Sequence, residues 1–417
     1  MKWKPVVVGA LLFVAVVSIL QVQSSDAVPA FARREGAKCQ MCHFRLPELN
    51  EDGHAYIRRG LREERGGMMS ASELSKGATD TPMSPGMDMG KGAKKPAALP
   101  SASTELSLGE PLPLEWQKYL TVMGHHMITA QRHAKTGFRS GEVEAWIGGP
   151  LDEHWSGLGV LAFDVEGGGV EVEQAYAQYN TSWSPRFVSV RVGQIRPFAV
   201  LFNGAGPDMP LSAPVVMSLP LSDRNPITPR TFLRGVELGA VNLPKWNAYV
   251  GVVQPQLEGD VGGSHTDFYG SAEYLVGEKG NALSVFGYRG EIPSSATEPV
   301  LDFDRVAVFA NVYAPRVKGV LGLLWGSDRP AGESSLLSKG GFLLGEFLLA
   351  DRWAGYGRYD YARRGLPAGD AETTDGPTLG VSFWAQTQVR LTLEAQFLKT
   401  ADLSREQGAM AEILWAF

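Results

Sequence analysis

Cysteine is almost missing from this chain: 417 residues contain two, Cys39 and Cys42. A disulfide framework is therefore excluded, and a structural zinc site would need two further ligands at ordinary spacing. Long apolar runs are equally scarce. Beyond the first twenty residues no stretch is long and apolar enough for a membrane-spanning helix, which needs about twenty residues. Neither charge sign dominates, and the net charge of −6 argues against a nucleic-acid partner. There is no nucleophile elbow, no phosphate loop and no repeat longer than a hairpin, so no residue is assigned a catalytic role.

The two cysteines stand in CQMCH, Cys39 to His43. Each thiol can add to one vinyl group of a porphyrin, and the spacing lets both reach the same ring. The adjacent His43 is then carried beneath the iron as its proximal ligand. A redox CxxC of the thioredoxin kind would want a βαβ context, which is missing. The motif predicts one c-type haem, attached at Cys39 and Cys42 and ligated by His43.

Residues 1–27 read as a secretory signal. Lys2 and Lys4 form its positive end, an apolar run extends from Val6 to Leu20, and Ser25-Asp26-Ala27 is a small-x-small site. Export suits a protein whose haem is attached outside the cytoplasm. Residues 28–65 form the haem segment, with a helix predicted over 51–64. Asn50 can cap it, Glu51 and Asp52 suit its positive end, and Ala55, Tyr56 and Ile57 offer an apolar patch to the porphyrin. So short a segment makes a poor core, and it should lean on haem and on the rest of the chain.

Residues 66–111 have the glycine, proline, serine and lysine of a flexible linker. Its methionines, Met83, Met87 and Met89 among them, are soft donors for Cu(I) or for the haem's sixth position. A linker alone does not hold the fixed geometry that a thioether site requires. Candidates for the sixth ligand are His54, Met68, Met69 and Met83.

Residues 112–417 read as all-β. In FVSVRVGQI, Val188, Val190 and Val192 share one face, opposite Ser189, Arg191 and Gly193. In RLTLEAQFL, Arg390, Thr392, Glu394 and Gln396 oppose Leu391, Leu393, Ala395 and Phe397. This alternation suits a barrel with lipid outside and a wet lumen, or a soluble sandwich with its apolar face inward. Strand length favours the membrane: runs such as 158–166, 170–179, 305–314, 340–349 and 379–389 are near the length that crosses a bilayer at a tilt. A shorter run is marked at 270–275. The hairpins alternate tight turns, at 167–169 and 278–280, with longer polar loops. The chain ends in a strand with Ile413 and Trp415 outward and a terminal aromatic, Phe417. The expectation is a transmembrane antiparallel β-barrel of about 16 strands, or 14, with a small helical N-terminal haem segment. Residues 196–234, rich in proline, could enter the lumen, cover the haem, form a lid or lie outside. His125 and His126, between Met123 and Met127, are the densest donor cluster. Only one of them can face the lumen, there to ligate the haem, to hold an incoming metal ion, or simply to sit at the interface or in the wet lumen. His133, His154 and His265 read as ordinary loop or strand-end residues.

This organisation resembles the fused outer-membrane monohaem cytochrome–porin family, whose best-known members oxidise ferrous iron at bacterial surfaces. The resemblance rests on Val28-Pro29-Ala30-Phe31-Ala32-Arg33, Gly36, CQMCH, Leu49-Asn50, Gly53, Tyr56 and Gly60. Val192-Gly193-Gln194 with Arg196-Pro197-Phe198 adds to it. Tyr56 stands where the family usually has Phe, and the methionine-rich linker is longer. The resemblance implies a protein of the bacterial outer membrane, inserted by the barrel assembly machinery into its lipid. It implies electron transfer from extracellular Fe(II) to a periplasmic c-type cytochrome or other carrier, with methionine as sixth ligand. The alternatives are a porin or ligand channel whose haem segment is a plug or sensor, electron flow outward, and a soluble periplasmic cytochrome.

Overall fold

The protein is described from a computed structural model over residues 30–35, 42–45, 47–62, 119–131, 137–139, 141–164, 168–182, 186–205, 211–220, 222, 225–243, 245–256, 265–277, 281–292, 300–366, 371–386, 388–400 and 403–416. The expected signal and the whole linker, with Met68, Met69 and Met83, lie outside these residues, as do Cys39 and Phe417.

Sixteen antiparallel strands close into a barrel among the described residues. They are β1 (Leu120–Gln131), β2 (Gly137–Arg139 and Glu142–Pro150), β3 (Trp155–Asp164), β4 (Val170–Asn180), β5 (Phe187–Ile195) and β6 (Leu233–Leu243). Next come β7 (Trp246–Pro255), β8 (Asp267–Val276), β9 (Asn281–Ile292), β10 (Leu301–Ala314) and β11 (Val317–Pro330). The last are β12 (Leu336–Ala350), β13 (Trp353–Gly365), β14 (Ala371–Gln386), β15 (Val389–Thr400) and β16 (Leu403–Ala416). β16 pairs with β1, for instance Ala409 opposite Ala130, so no sheet edge is left open. Both pieces of β2 pair with β1. Between them a Cβ on Gly141 would lie 1.5 Å from the His125 carbonyl oxygen, so the strand folds in where only glycine fits.

The strand alternation has the sense read from the sequence. Arg191, Thr392 and Glu394 are buried inside, while Val188, Val192, Leu393 and Phe397 face outward. The outer wall is a belt of large apolar side chains, with Val250 58%, Leu343 60% and Leu349 63% exposed. So much contiguous apolar surface is stable only against lipid. At one rim aromatic pairs meet at an angle on this outer face: Trp246 with Tyr274 at 4.8 Å, Trp353 with Phe383 at 4.6 Å and, edge-on, Trp155 with Tyr179 at 5.2 Å between centroids. Such girdles mark a membrane–water boundary. The same rim carries the shortest turns and the outer ends of β1 and β16, which assigns it to the periplasm by the general architecture of these barrels.

Three expectations are corrected. The helix predicted to 64 ends at Arg58, because Gly60 takes φ +72° and the Gly60 and Leu61 amides turn back to Ile57 and Tyr56 carbonyls. That is a Schellman ending, which stops a helix at glycine. The run 379–389 is not one strand; β14 stops at Gln386 and Val389 opens β15. The connections near 167–169 and 278–280 lie at opposite ends of the barrel rather than both at the tight-turn end, since one joins β3 to β4 and the other β8 to β9.

Two inserts fill the lumen. From the periplasmic end come α1 (Ala30–Glu35), a hairpin of His43–Arg45 with Glu48–Leu49, and α2 (Glu51–Arg58). From the opposite end, the described residues between 196 and 232 fold inward rather than over the outside. Phe198, Val200, Phe202, Val216 and Met217 are buried, and Ser212 joins the wall through Arg358, Glu394 and Gln396.

Candidate functional site

The N-terminal insert is built around the end of the CQMCH motif. Cys42 is half-buried and is the one cysteine among the described residues. His43 begins the small hairpin, and its Nδ1 lies 3.0 Å from the Pro47 carbonyl oxygen. A carbonyl only accepts, so Nδ1 carries a proton. A backbone carbonyl on one ring nitrogen is the usual way of orienting a histidine whose other nitrogen meets a metal.

Asn50 joins this hairpin to α2. Its amide donates to the Cys42 carbonyl at 3.0 Å, and its side chain caps the helix by accepting from Gly53 N at 3.0 Å, as expected. The helix presses so closely on the motif that a Cβ on Gly53 would fall 2.1 Å from the Cys42 oxygen. The close approach therefore requires glycine. The residues present fit a c-type haem: a half-buried thiol, an oriented imidazole beside it, and a helix held against their backbone.

Charge seats the insert in the barrel. Glu48 is 1% exposed and lies 3.5 Å from Lys318 Nζ on β11 and 3.7 Å from Arg390 Nη1 on β15. Arg58 pairs with Glu273 on β8. Gln178 and Asn180 of β4 donate to the Arg58 and Arg59 carbonyls at 2.6 and 2.9 Å, satisfying the end of α2. Arg34 donates to the Tyr56 hydroxyl, to Leu61 O at 2.5 Å and to Gly148 O at 3.2 Å, tying α1 to α2 and to β2. Tyr56 is thus a hydrogen-bonding partner as well as an apolar surface. A phenylalanine there would leave Arg34 without that hydroxyl.

His54 is buried with its ring stacked on Phe202 of the long loop, centroids 4.1 Å apart and planes 19° from parallel. Phe202 in turn stacks on Phe198 at 5.4 Å, and Arg191 lies 3.8 Å over Phe198. The two inserts therefore meet through aromatic faces.

The paired histidines separate as the strand period requires. His125 lies on the same face of β1 as Thr121, which accepts from the Ala30 amide of the insert at 2.9 Å, while alternation turns His126 outward. His125 approaches Glu412 and Glu142. His154 lies in the β2–β3 turn with Nδ1 2.9 Å from the Asn180 carbonyl, a structural role; His133 lies outside the described residues. Sequence reasoning missed Glu48, Arg58 and Lys318, and placed Arg390 on the polar face of its strand without a partner. Lys318 and Arg390 signal themselves as charges at inward positions of barrel strands, whereas Glu48 and Arg58, in the small hairpin and in α2, have no such signal.

The comparisons with known proteins concern the barrel. No protein-family model matches the chain, and no curated protein is similar to it at a significant level. Solved structures do match. The anion-selective porin from Comamonas acidovorans shares 11% identity over 72% of this chain and 98% of its own, with a TM-score of 0.57. The fold is that of an outer-membrane porin barrel. The outer-membrane expressed OmpT of Vibrio cholerae matches at 10% identity over 72% of this chain and 97% of its own, with a TM-score of 0.55. The OmpF of Salmonella typhi, solved with daunomycin, matches at 13% identity over 72% and 96%, with a TM-score of 0.54. With the lipid-facing belt and aromatic rim, this porin fold assigns the barrel to the bacterial outer membrane.

Proposed function

We propose that this protein is a monohaem outer-membrane electron conduit. Its barrel holds an N-terminal plug bearing one c-type haem on Cys39 and Cys42, with His43 as proximal ligand. Electrons pass singly from an extracellular donor, best read as Fe(II), to a periplasmic c-type cytochrome or other carrier. The observation that carries this reading is His43 of CQMCH, oriented by the Pro47 carbonyl within a plug that is ion-paired to the lumen wall.

Bound there, the haem supplies a one-electron iron centre whose potential follows its axial ligands and its burial. Each residue then has a stated task. His43 presents Nε2 because Pro47 holds Nδ1. Gly53 lets α2 close on the Cys42 backbone. Glu48, Lys318 and Arg390 fix the plug and the charges around it. A second ligand to the iron would come from His54 or from a methionine among Met68, Met69 and Met83, and the family resemblance implies methionine. A redox centre in the lumen serves cells that use dissolved Fe(II). The hydrocarbon layer of about 30 Å insulates the two sides, and the ferric product precipitates and is better left outside.

A second reading is favoured by the porin fold: a channel in which the haem segment is a plug or sensor. The buried contacts that both inserts make with the wall oppose free diffusion through the lumen. Anaerobic stopped-flow mixing of the haem-loaded protein with Fe(II) near neutral pH tests the proposal. Reduced haem bands should appear rapidly, and be abolished in a Cys39→Ala, Cys42→Ala protein. Reduction by dithionite but not by Fe(II) would remove iron as the donor. Open-channel conductance of the intact protein in planar bilayers would favour the porin reading.

A further inference from the structure

The lumen wall carries a second group of donors, apart from the contacts that seat the plug. His125 of β1 and Glu142 and Glu144 of β2 each present one ligand atom, and these atoms lie within 4.8 Å of one another. Glu142 stands at the break in β2, where Gly141 folds in against the His125 backbone. The insertion therefore sets the imidazole and the carboxylates side by side.

The imidazole is arranged as a ligand. Its Nδ1 faces Glu412 Oε1 at 3.5 Å, and Glu412 is itself held by Arg390 at 3.1 Å. Its Nε2 lies 3.8 Å from Glu142 Oε2, beyond hydrogen-bond reach, and is buried without a hydrogen-bond partner. A ring nitrogen removed from water and left unbonded is costly unless something else occupies it. Glu144 uses Oε2 to accept from Trp146 Nε1 at 2.6 Å, which orients the carboxylate and leaves Oε1 for another partner. Carboxylate to imidazole to open position is the arrangement seen around metal-binding histidines.

We propose that His125, Glu142 and Glu144 form a binding site for a divalent first-row cation on the lumen wall, with Glu412 orienting the imidazole. One imidazole and two carboxylates suit Fe(II), Mn(II), Co(II) or Zn(II). An all-oxygen shell would suit Ca(II), and thioethers would suit Cu(I). Two carboxylates also balance the double positive charge. At ligand distances of about 2.0–2.2 Å, donors across an ion are at most roughly 4.4 Å apart, so the set closes with a shift well under about 1 Å.

Position gives the site a use. The His125 and Glu142 side chains are 24% and 36% exposed, so the site has an edge open to the lumen although Nε2 itself is covered. Thr121, where the plug touches β1, lies four residues away on the same face and nearer the periplasm, about 13 Å at roughly 3.3 Å per residue. A cation held at His125 therefore sits on the outer side of that plug contact. That the ion is the ferrous donor rests on the electron-transfer reading; that a cation binds does not.

The test is equilibrium dialysis of Co(II) against the full-length, haem-loaded protein in detergent, with heat-modifiable gel mobility confirming that each barrel is folded. The wild type should bind about one tight Co(II) per chain. Affinity should fall at least about tenfold in His125→Ala and in Glu142→Gln, Glu144→Gln, and by roughly 10–100-fold in Glu412→Gln. It should be unchanged in Glu291→Gln, a distant exposed carboxylate. No tight Co(II) in the wild type, or equal affinity in folded His125→Ala and the double variant, overturns the site. Repeating the dialysis with the Cys39→Ala, Cys42→Ala protein separates the two proposals. Retained Co(II) binding there, with no reduction of wild-type haem by Fe(II), keeps the site and removes the electron-transfer reading. Fast haem reduction together with Co(II) affinity insensitive to the variants does the reverse.

Discussion

Gly53 shows how one missing methyl group can hold the N-terminal insert together. A Cβ there would overlap the Cys42 carbonyl, whereas a Cβ on Gly287 meets nothing within 4 Å. Gly53→Ala should therefore destabilise the packing of α2 on the motif by about 1–3 kcal/mol, the usual cost of overpacking. Purified Gly53→Ala protein should show a lower haem-to-barrel absorbance ratio than wild type, and Gly287→Ala should match wild type. Equal ratios in all three proteins would remove the role given to the close approach. Residues of this kind divide by legibility. The Asn50 cap is a local pattern and was readable. Glu48 was not, because what makes it matter is Lys318, distant in sequence and brought near only by barrel closure.

At the scale of elements, the plug is an ion-paired insert in a wall whose inward positions mix buried apolar side chains, such as Phe303, Phe309 and Leu344, with charged ones. Breaking one partner of a buried pair costs about 3–5 kcal/mol, mostly from the charge left behind, while neutralising both partners costs far less. Lys318→Met should make the 30–62 segment more susceptible to limited proteolysis from the periplasmic face, and Glu48→Gln, Lys318→Met should recover much of the protection. A double variant more labile than the single would refute the pairing. The β2–β3 turn anchors the other end, since Arg62 donates to the Asp152 and Trp155 carbonyls there. Asp152 Oδ1 accepts from the Trp155 and His154 amides at 2.7 Å each, which holds its carboxyl below the usual carboxylate range. A depressed folded pKa contributes stability above the unfolded value of about 3.9 and loses it as pH falls through the folded value. The hydrogen-exchange protection factor of the Trp155 amide should thus be flat near neutrality and decline below about pH 4. The decline should vanish in Asp152→Asn, and a wild-type profile flat to lower pH would contradict the turn's dependence on this carboxylate. Strand existence was legible because period two is a local signal. Strand ends such as the β14–β15 turn were not, because Gln386-Thr387-Gln388 has none of the glycine, proline, asparagine or aspartate that marks a turn.

At the scale of the molecule, the question is whether a porin fold still conducts when two inserts enter it from opposite ends. The closed wall, the lipid-facing belt and the strand number near sixteen were legible in alternation and length. The destination of residues 196–232 was not, since proline-rich sequence without alternation is equally compatible with a lid or an outer loop. It folds inward because its apolar Phe198, Val216 and Met217 find burial there, while Asn203, Ser212 and Asn225 match inward polar groups on Asn311, Glu394 and Asp328. The consequence is a barrel obstructed twice. Deleting residues 28–62 should therefore raise single-channel conductance only modestly, because the long loop still bridges the lumen. Adding Ser212→Ala with Asn225→Ala should release that loop, each lost bond being worth about 0.5–1.5 kcal/mol, and raise conductance further. The intact protein should be nearly closed in planar bilayers. If the plug deletion alone gave the full conductance of an open porin, the loop would not be a second obstruction. The electron-transfer reading would then rest on the plug alone to keep ions from leaking across the membrane.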